Sequence, residues 1–92
     1  MLSYEWDTAK AASNFRKHGV GFPEAQTVFE DSGAITVEDE GRGEERYVII
    51  GHDSGGRLLV VVFTWREQNT VRLISARRAN REEALIYTEQ QP

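Results

Sequence analysis

The segment RLLVVVFTW, residues 57–65, leaves the chain little conformational choice. Its β-branched and aromatic residues favour an extended backbone. Turn-forming residues bound it, SGG before and EQN after. Its apolar residues are consecutive rather than alternate, so both faces of the strand are greasy and both must be covered. Helices can cover one face; a packed C-terminal helix or a partner is needed for the other.

Strand partners lie on either side. AITVE reads as a short strand, GRGEE as a loop, RYVIIGHD as a second strand and TVRLISAR as the last. DSGG and EQN make hairpin turns. With two-residue loops at Gly55–Gly56 and Gln68–Asn69, one face carries Leu59, Val61, Phe63 and Trp65 with Arg46 and Arg72. The other carries Tyr47, Ile49, Val60, Leu73 and Arg77. A one-residue change in either loop would reshuffle these faces.

Upstream of residue 33 the spacing is helical. Asp7 is a good N-cap for TAKAASNFRKH, which ends at Gly19, a favoured residue just beyond a helix. A second helix is predicted in PEAQTVFE, with Pro23 in its first turn and Phe22, Ala25, Val28 and Phe29 as its buried stripe. After the last strand, Asn80 caps REEALIYTE, and Glu83 completes a capping-box pattern. The order is β-α-α-β-β-β-β-α. The expectation is a single α+β domain over residues 1–92, with two N-terminal helices packed on an antiparallel β-sheet and a short C-terminal helix.

A 92-residue chain buries only about 60–65% of the surface its unfolded form exposes, so a partner chain would help it. The absence of cysteine removes disulfides, thiolate zinc sites and thiol nucleophiles together. No apolar run approaches the roughly 20 residues of a membrane span. MLSYEWD lacks the basic and apolar regions of a signal peptide. A soluble intracellular protein is expected.

Net charge is −4, but it is unevenly spread. Glu30 to Glu45 holds Glu30, Asp31, Glu38, Asp39, Glu40, Glu44 and Glu45 against Arg42 alone. Arg57 to Arg81 holds Arg57, Arg66, Arg72, Arg77, Arg78 and Arg81 against Glu67 alone. If folding keeps these segments apart, one surface is basic and another acidic, and each steers a different partner.

The arginines of LISARRANREE gather where the last strand hands over to the last helix. A helix N-terminus adds backbone N–H groups and a positive dipole, and guanidinium forks match phosphate. The functional reading is a phosphodiester site; the bland one is surface pairing of Arg77, Arg78 and Arg81 with Glu82, Glu83 or the acidic loop. His18 reads as a C-terminal cap or as an acid–base group, and His52 as an exposed residue. Trp65 either packs in the sheet or stacks on a base. HxxxH and HExxH spacings and Gly-rich phosphate loops are absent, so no metal site and no cofactor are expected.

YEWDTAKAASNFRKHGVGFPEAQTVFED contains W-D, K-x-x-x-N and K-H-G-V-x-F-x-E-A signatures. With GEERYVIIGHDSGGRLLVVVFTWR and VRLISARRANREEALIY, it resembles BrnT-type toxins over nearly the whole chain. That family is similar to RelE in fold. The resemblance implies the toxin of a type II toxin–antitoxin pair: a cytoplasmic ribonuclease that cleaves RNA endonucleolytically without metal and inhibits translation and growth. It implies a ribbon-helix-helix-type antitoxin, contact with operator DNA only through that antitoxin, no membrane partner, and either a homodimer or a toxin–antitoxin heterotetramer. Carried over by position, Arg66, Arg72, Arg77 and Arg78 form the catalytic set and are expected to converge in space. Lys17, His18, Arg46, Trp65 and Arg81 would contact RNA. The family often has His-Thr-Glu-Arg where this chain has Phe63, Thr64, Trp65 and Arg66. That departure leaves a second reading, a catalytically weakened toxin-like module that persists as antitoxin partner and corepressor.

Overall fold

A computed structural model describes residues 1–39 and 45–92. The chain runs β1 (Ser3–Glu5), α1 (Thr8–His18), α2 (Phe22–Ala25), a 3-10 helix (Gln26–Glu30), β2 (Ile35–Asp39), β3 (Arg46–His52), β4 (Leu58–Glu67), β5 (Thr70–Arg78) and α3 (Arg81–Glu89). This is the expected order of elements. The loop predicted at GRGEE, with the acidic residues Glu40 and Glu44, lies largely outside the described residues.

Five strands form one sheet in the order β1-β5-β4-β3-β2. β2 to β5 are antiparallel neighbours, whereas β1 runs parallel to β5. The sheet is thus mixed, not antiparallel throughout. β1 and β5 are joined through the whole intervening chain, so no hairpin imposes an antiparallel direction on them.

Local chemistry explains the helix ends. The Asp7 side chain accepts the Lys10 N–H at 3.0 Å. Gly19, at φ 70, closes α1 by donating to the Phe15 carbonyl. Asn80 accepts the Glu83 N–H while the Glu83 carboxylate accepts the Asn80 N–H, each at 2.8 Å, so the capping box is complete. The second helix is α-helical for one turn only and then tightens to 3-10. Thr27, Val28 and Phe29 follow in succession there, and such residues lose rotamer freedom in an α-helix.

α1, α2 and the 3-10 helix cover one sheet face. Val20, Phe22, Ala25 and Val28 pack there against Ile49, Leu59, Val61, Phe63, Val71, Leu73 and Ala76. On the opposite face α3 covers a smaller cluster of Ile50, Val60 and Tyr87. The predicted faces are corrected at two places. In the β3–β4 hairpin, the Asp53 N–H donates to the Arg57 carbonyl across a three-residue loop, with Gly56 at φ 88. The Asp53 carboxylate, 6% exposed, shapes that loop by accepting the Gly55 and Arg57 N–H groups and the Arg57 Nε. One extra loop residue brings Tyr47 and Ile49 to the face of Phe63 and Val61. In the β4–β5 hairpin the two-residue loop is as predicted, with Glu67 opposite Thr70. Arg66 then bulges from β4 and Ile74 from β5. The second bulge lets Leu73 and Ala76, three apart, both enter the core.

Asn14 is the buried polar residue of α1. Its amide Nδ2 donates to the carbonyls of Val20 (3.1 Å) and Ala76 (2.8 Å), and its Oδ1 accepts the Ala76 N–H at 3.1 Å. β1 pairs with β5 only from Thr70 to Arg72. Beyond that point no strand among the described residues lines the outer edge of β5, and the Asn14 amide takes the place of one.

Candidate active site

Three lateral rows of side chains cross the sheet face opposite α1 and α2. Ile35, Ile50, Val60 and Arg77 are successive cross-strand neighbours in the first row, which α3 covers through Tyr87. Val37, Val48, Val62 and Ser75 form the second. This row is more open: Val37 is 54% exposed, and the other three are half-buried. The third is polar. Asp39 pairs with Arg46, Thr64 with Arg72, and Arg72 with Glu5. Arg46 stands one residue beyond the Tyr47–Phe63 pair, beside Thr64, whose hydroxyl donates to the Glu45 carbonyl at 2.7 Å. The open half of the sheet is therefore a valine floor with guanidinium groups along its margins.

The bulge at Arg66 turns that side chain toward the same margin. Arg72 Nη1 donates to Glu5 Oε2 at 2.7 Å, and Arg66 Nε lies 3.6 Å from the same oxygen. All three side chains are at least 34% exposed, so their charges are shared with water. Across the valine row, Arg77 makes a forked pair with both oxygens of Glu83, at 2.8 and 2.7 Å. That pair holds the Glu83 carboxyl below the usual carboxylate range and raises the Arg77 guanidinium further above its own. Arg77 thus ties the β5 end to the first turn of α3.

The far end of α3 is held by a second polar cluster. Asp31 Oδ2 accepts the Tyr87 hydroxyl and the His52 N–H, each at 2.8 Å, and Oδ1 accepts the Gly33 N–H at 2.9 Å. The His52 ring nitrogen Nδ1 sits 3.3 Å from the Tyr87 hydroxyl. Burial pushes the Asp31 carboxyl up, but the hydrogen bonds from His52, Gly33 and Tyr87 outweigh it and hold the group low. Burial likewise opposes, and the Arg57 and Gly55 donors outweigh, at Asp53. Asp31, Asp53 and Glu83 thus each bind a proton less readily folded than unfolded. Their stabilisation is complete above the unfolded values near about 4 and disappears as pH falls through the lower folded values. Thermal melts are expected to be level from neutral pH to about pH 5 and to drop steeply below about pH 4. Glu83→Gln keeps a capping-box side chain and is expected to flatten part of that acid limb. An identical acid profile in wild type and Glu83→Gln would remove Glu83 from this account.

The structure separates the arginines expected to converge. Arg66 and Arg72 meet at Glu5, and Arg77 shares their sheet face but engages Glu83. Arg78 stands opposite Leu59, a residue of the helix-covered core, and so lies on the other side. Successive strand residues point to opposite faces, so Arg77 and Arg78 cannot both face the row of Arg72. Lys17 and His18 end α1, in the helical layer on that other side. Arg81 opens α3 and lines a shallow depression with Asn80, Glu82 and Leu85. Trp65 packs edge-on against Phe63 at 5.9 Å and stays 43% exposed. Phe63 is 2% exposed in the helix-side core.

Sequence reasoning gave Glu5 no role. Its partner Arg72 is 67 residues away, and nothing local marks a carboxylate for such a meeting. Asn14 carried two signals, its place in the K-x-x-x-N signature and an amide in the middle of an alanine-rich helix, where such residues are poor helix formers, but neither named its partner.

A sequence profile described as the ribonuclease toxin BrnT of type II toxin–antitoxin systems matches residues 6–83. The chain belongs to the BrnT family. Membership implies an antitoxin as partner. The crystal structure of the Brucella abortus ribonuclease toxin BrnT matches with a TM-score of 0.66 at 22% identity, over 88% of this chain and 100% of that one. The chain thus has the BrnT fold, carried by its described residues as an α+β arrangement of a five-stranded sheet and three α-helices. No curated protein matches the chain. No helix among the described residues is long and apolar enough to cross a membrane.

Proposed function

We propose that this BrnT-family chain is a metal-independent endoribonuclease of the bacterial cytoplasm, held in check by a ribbon-helix-helix-type antitoxin that also carries it to operator DNA. The observation that carries the catalytic part is the open sheet face with Arg46, Arg66 and Arg72 on one margin and Arg77 on the other. In such cleavage the ribose 2′-oxygen attacks its own phosphorus and the 5′-oxygen leaves. Charge builds on the non-bridging oxygens, and pre-oriented guanidinium donors stabilise it most where it builds. The valine floor gives the RNA a surface without competing charges. Family membership supports the antitoxin, and the edge strand β2, with Val37 and Glu38 exposed and Asp39 beside them, suits a basic, partly apolar partner.

Purified protein is expected to cleave single-stranded RNA in excess EDTA and to leave 2′,3′-cyclic phosphate or 3′-phosphate ends. RNA left intact across a wide pH range, together with tight antitoxin binding, would instead establish the toxin-shaped corepressor. Cleavage that stops on chelation would refute the metal-independent mechanism.

A further inference from the structure

We infer that Glu5 is the proton acceptor of the cleavage site, taking the proton from the attacking ribose 2′-hydroxyl. The inference rests on the ribonuclease reading and names a residue that reading lacks. Metal-free cleavage needs a base beside the phosphate-binding arginines, and neither histidine is placed there. His18 lies in the helical layer, and His52 is held with Tyr87 and Asp31 beneath α3. Four described carboxylates lie on or beside the open face: Glu5, Asp39, Glu67 and Glu83, of which Glu67 stands opposite Thr70 next to the β4–β5 turn, one row beyond Arg72. Glu83 is committed, with both oxygens in the Arg77 fork and one also capping α3. Asp39 sits at the outer edge, opposite Arg46. Glu5 differs. Arg72 anchors Oε2 at 2.7 Å, with Arg66 at 3.6 Å, while Oε1 makes no hydrogen bond among the described residues.

A phosphate seated on Arg66 and Arg72 would place its ribose next to Oε1. It would also share the two guanidinium charges and so loosen their hold on Glu5 when a base is needed. The step balances without a co-reactant beyond water. Glu5 accepts the 2′-hydroxyl proton, the 2′-oxygen–phosphorus bond forms, and the phosphorus–5′-oxygen bond breaks. The 5′-oxygen takes a proton from water, and protonated Glu5 returns its own to solvent. The products are a 2′,3′-cyclic phosphate and a 5′-hydroxyl.

Glu5→Gln tests this, because the amide oxygen can still accept from Arg72 while the base is gone. Single-turnover cleavage should fall about 10²-fold or more, the usual share of a general base. The acid limb of the wild-type pH–rate profile should disappear. Binding of an uncleavable oligonucleotide, 2′-deoxy at the scissile nucleotide, should be unchanged or tighter, and the melting temperature should hold. Glu5→Asp should recover part of the rate and the limb. Wild-type cleavage persisting at full rate in Glu5→Gln would overturn the assignment and leave the ribonuclease reading standing. A rate loss matched by lost oligonucleotide binding would overturn it in favour of Glu5 as a positioning residue for Arg72. Failure of the wild type to cleave any RNA would overturn both.

Discussion

Arg72→Ala should cost about 10²–10³-fold in RNA cleavage while leaving the fold standing, the loss usual for one oriented donor to a developing oxyanion. Arg72 sits in the row that Thr64 and Glu5 share, and its head group is accessible to a ligand. Its ion pair with Glu5 joins two partly exposed groups, so little stability goes with it. Arg72→Lys should restore little, because an ammonium cannot reproduce the fork. Arg77→Ala is the informative contrast. It strips Glu83 of its partner and loosens α3, so its activity loss should come with a lower melting temperature. Equal cleavage by wild type and Arg72→Ala would remove the open face as the reaction site.

Asn14→Leu should be the most damaging single change to stability. Leucine keeps the branching of the side chain but is bulkier, and it supplies none of the three hydrogen bonds to Val20 and Ala76. The Ala76 N–H and carbonyl, on the strandless stretch of the β5 edge, lose their partners in a buried setting. Unsatisfied buried groups cost about 1–3 kcal/mol each, so a loss of about 2–4 kcal/mol is expected. For a domain of this size that lowers the melting temperature by about 10–20 °C. Chemical denaturation should show the midpoint moving at constant slope. A loss below about 1 kcal/mol would mean that water takes over these partners.

The two predictions differ in how visible their residues are in the primary structure. Arg72 stands out as a basic residue in a strand of an acidic protein. Asn14 is marked only as the end of the K-x-x-x-N signature, and its structural task is hidden until Ala76 is found 62 positions away. The arginine cluster at residues 77–81 draws the eye in the sequence, yet folding divides it between two faces and a helix start. Glu5, which draws no attention, becomes the meeting point of two arginines.

Elements, their order and their caps were legible along the chain, because their causes are local. Asp7, Gly19 and Asn80 act on backbone groups within a few residues, and the run from Arg57 to Trp65 can only be extended. Family membership was legible too, since its motifs are contiguous. What faces what was decided by tertiary structure. One more loop residue shaped by Asp53, and bulges at Arg66 and Ile74, exchange faces because side chains alternate with a period of two. The choice of Glu5 for Arg72 and of Asn14 for Ala76 depends on a parallel β1 and on its ending at Glu5. Residue order carries the chemistry of each group; only the packed sheet brings groups from opposite ends of the chain within hydrogen-bonding distance.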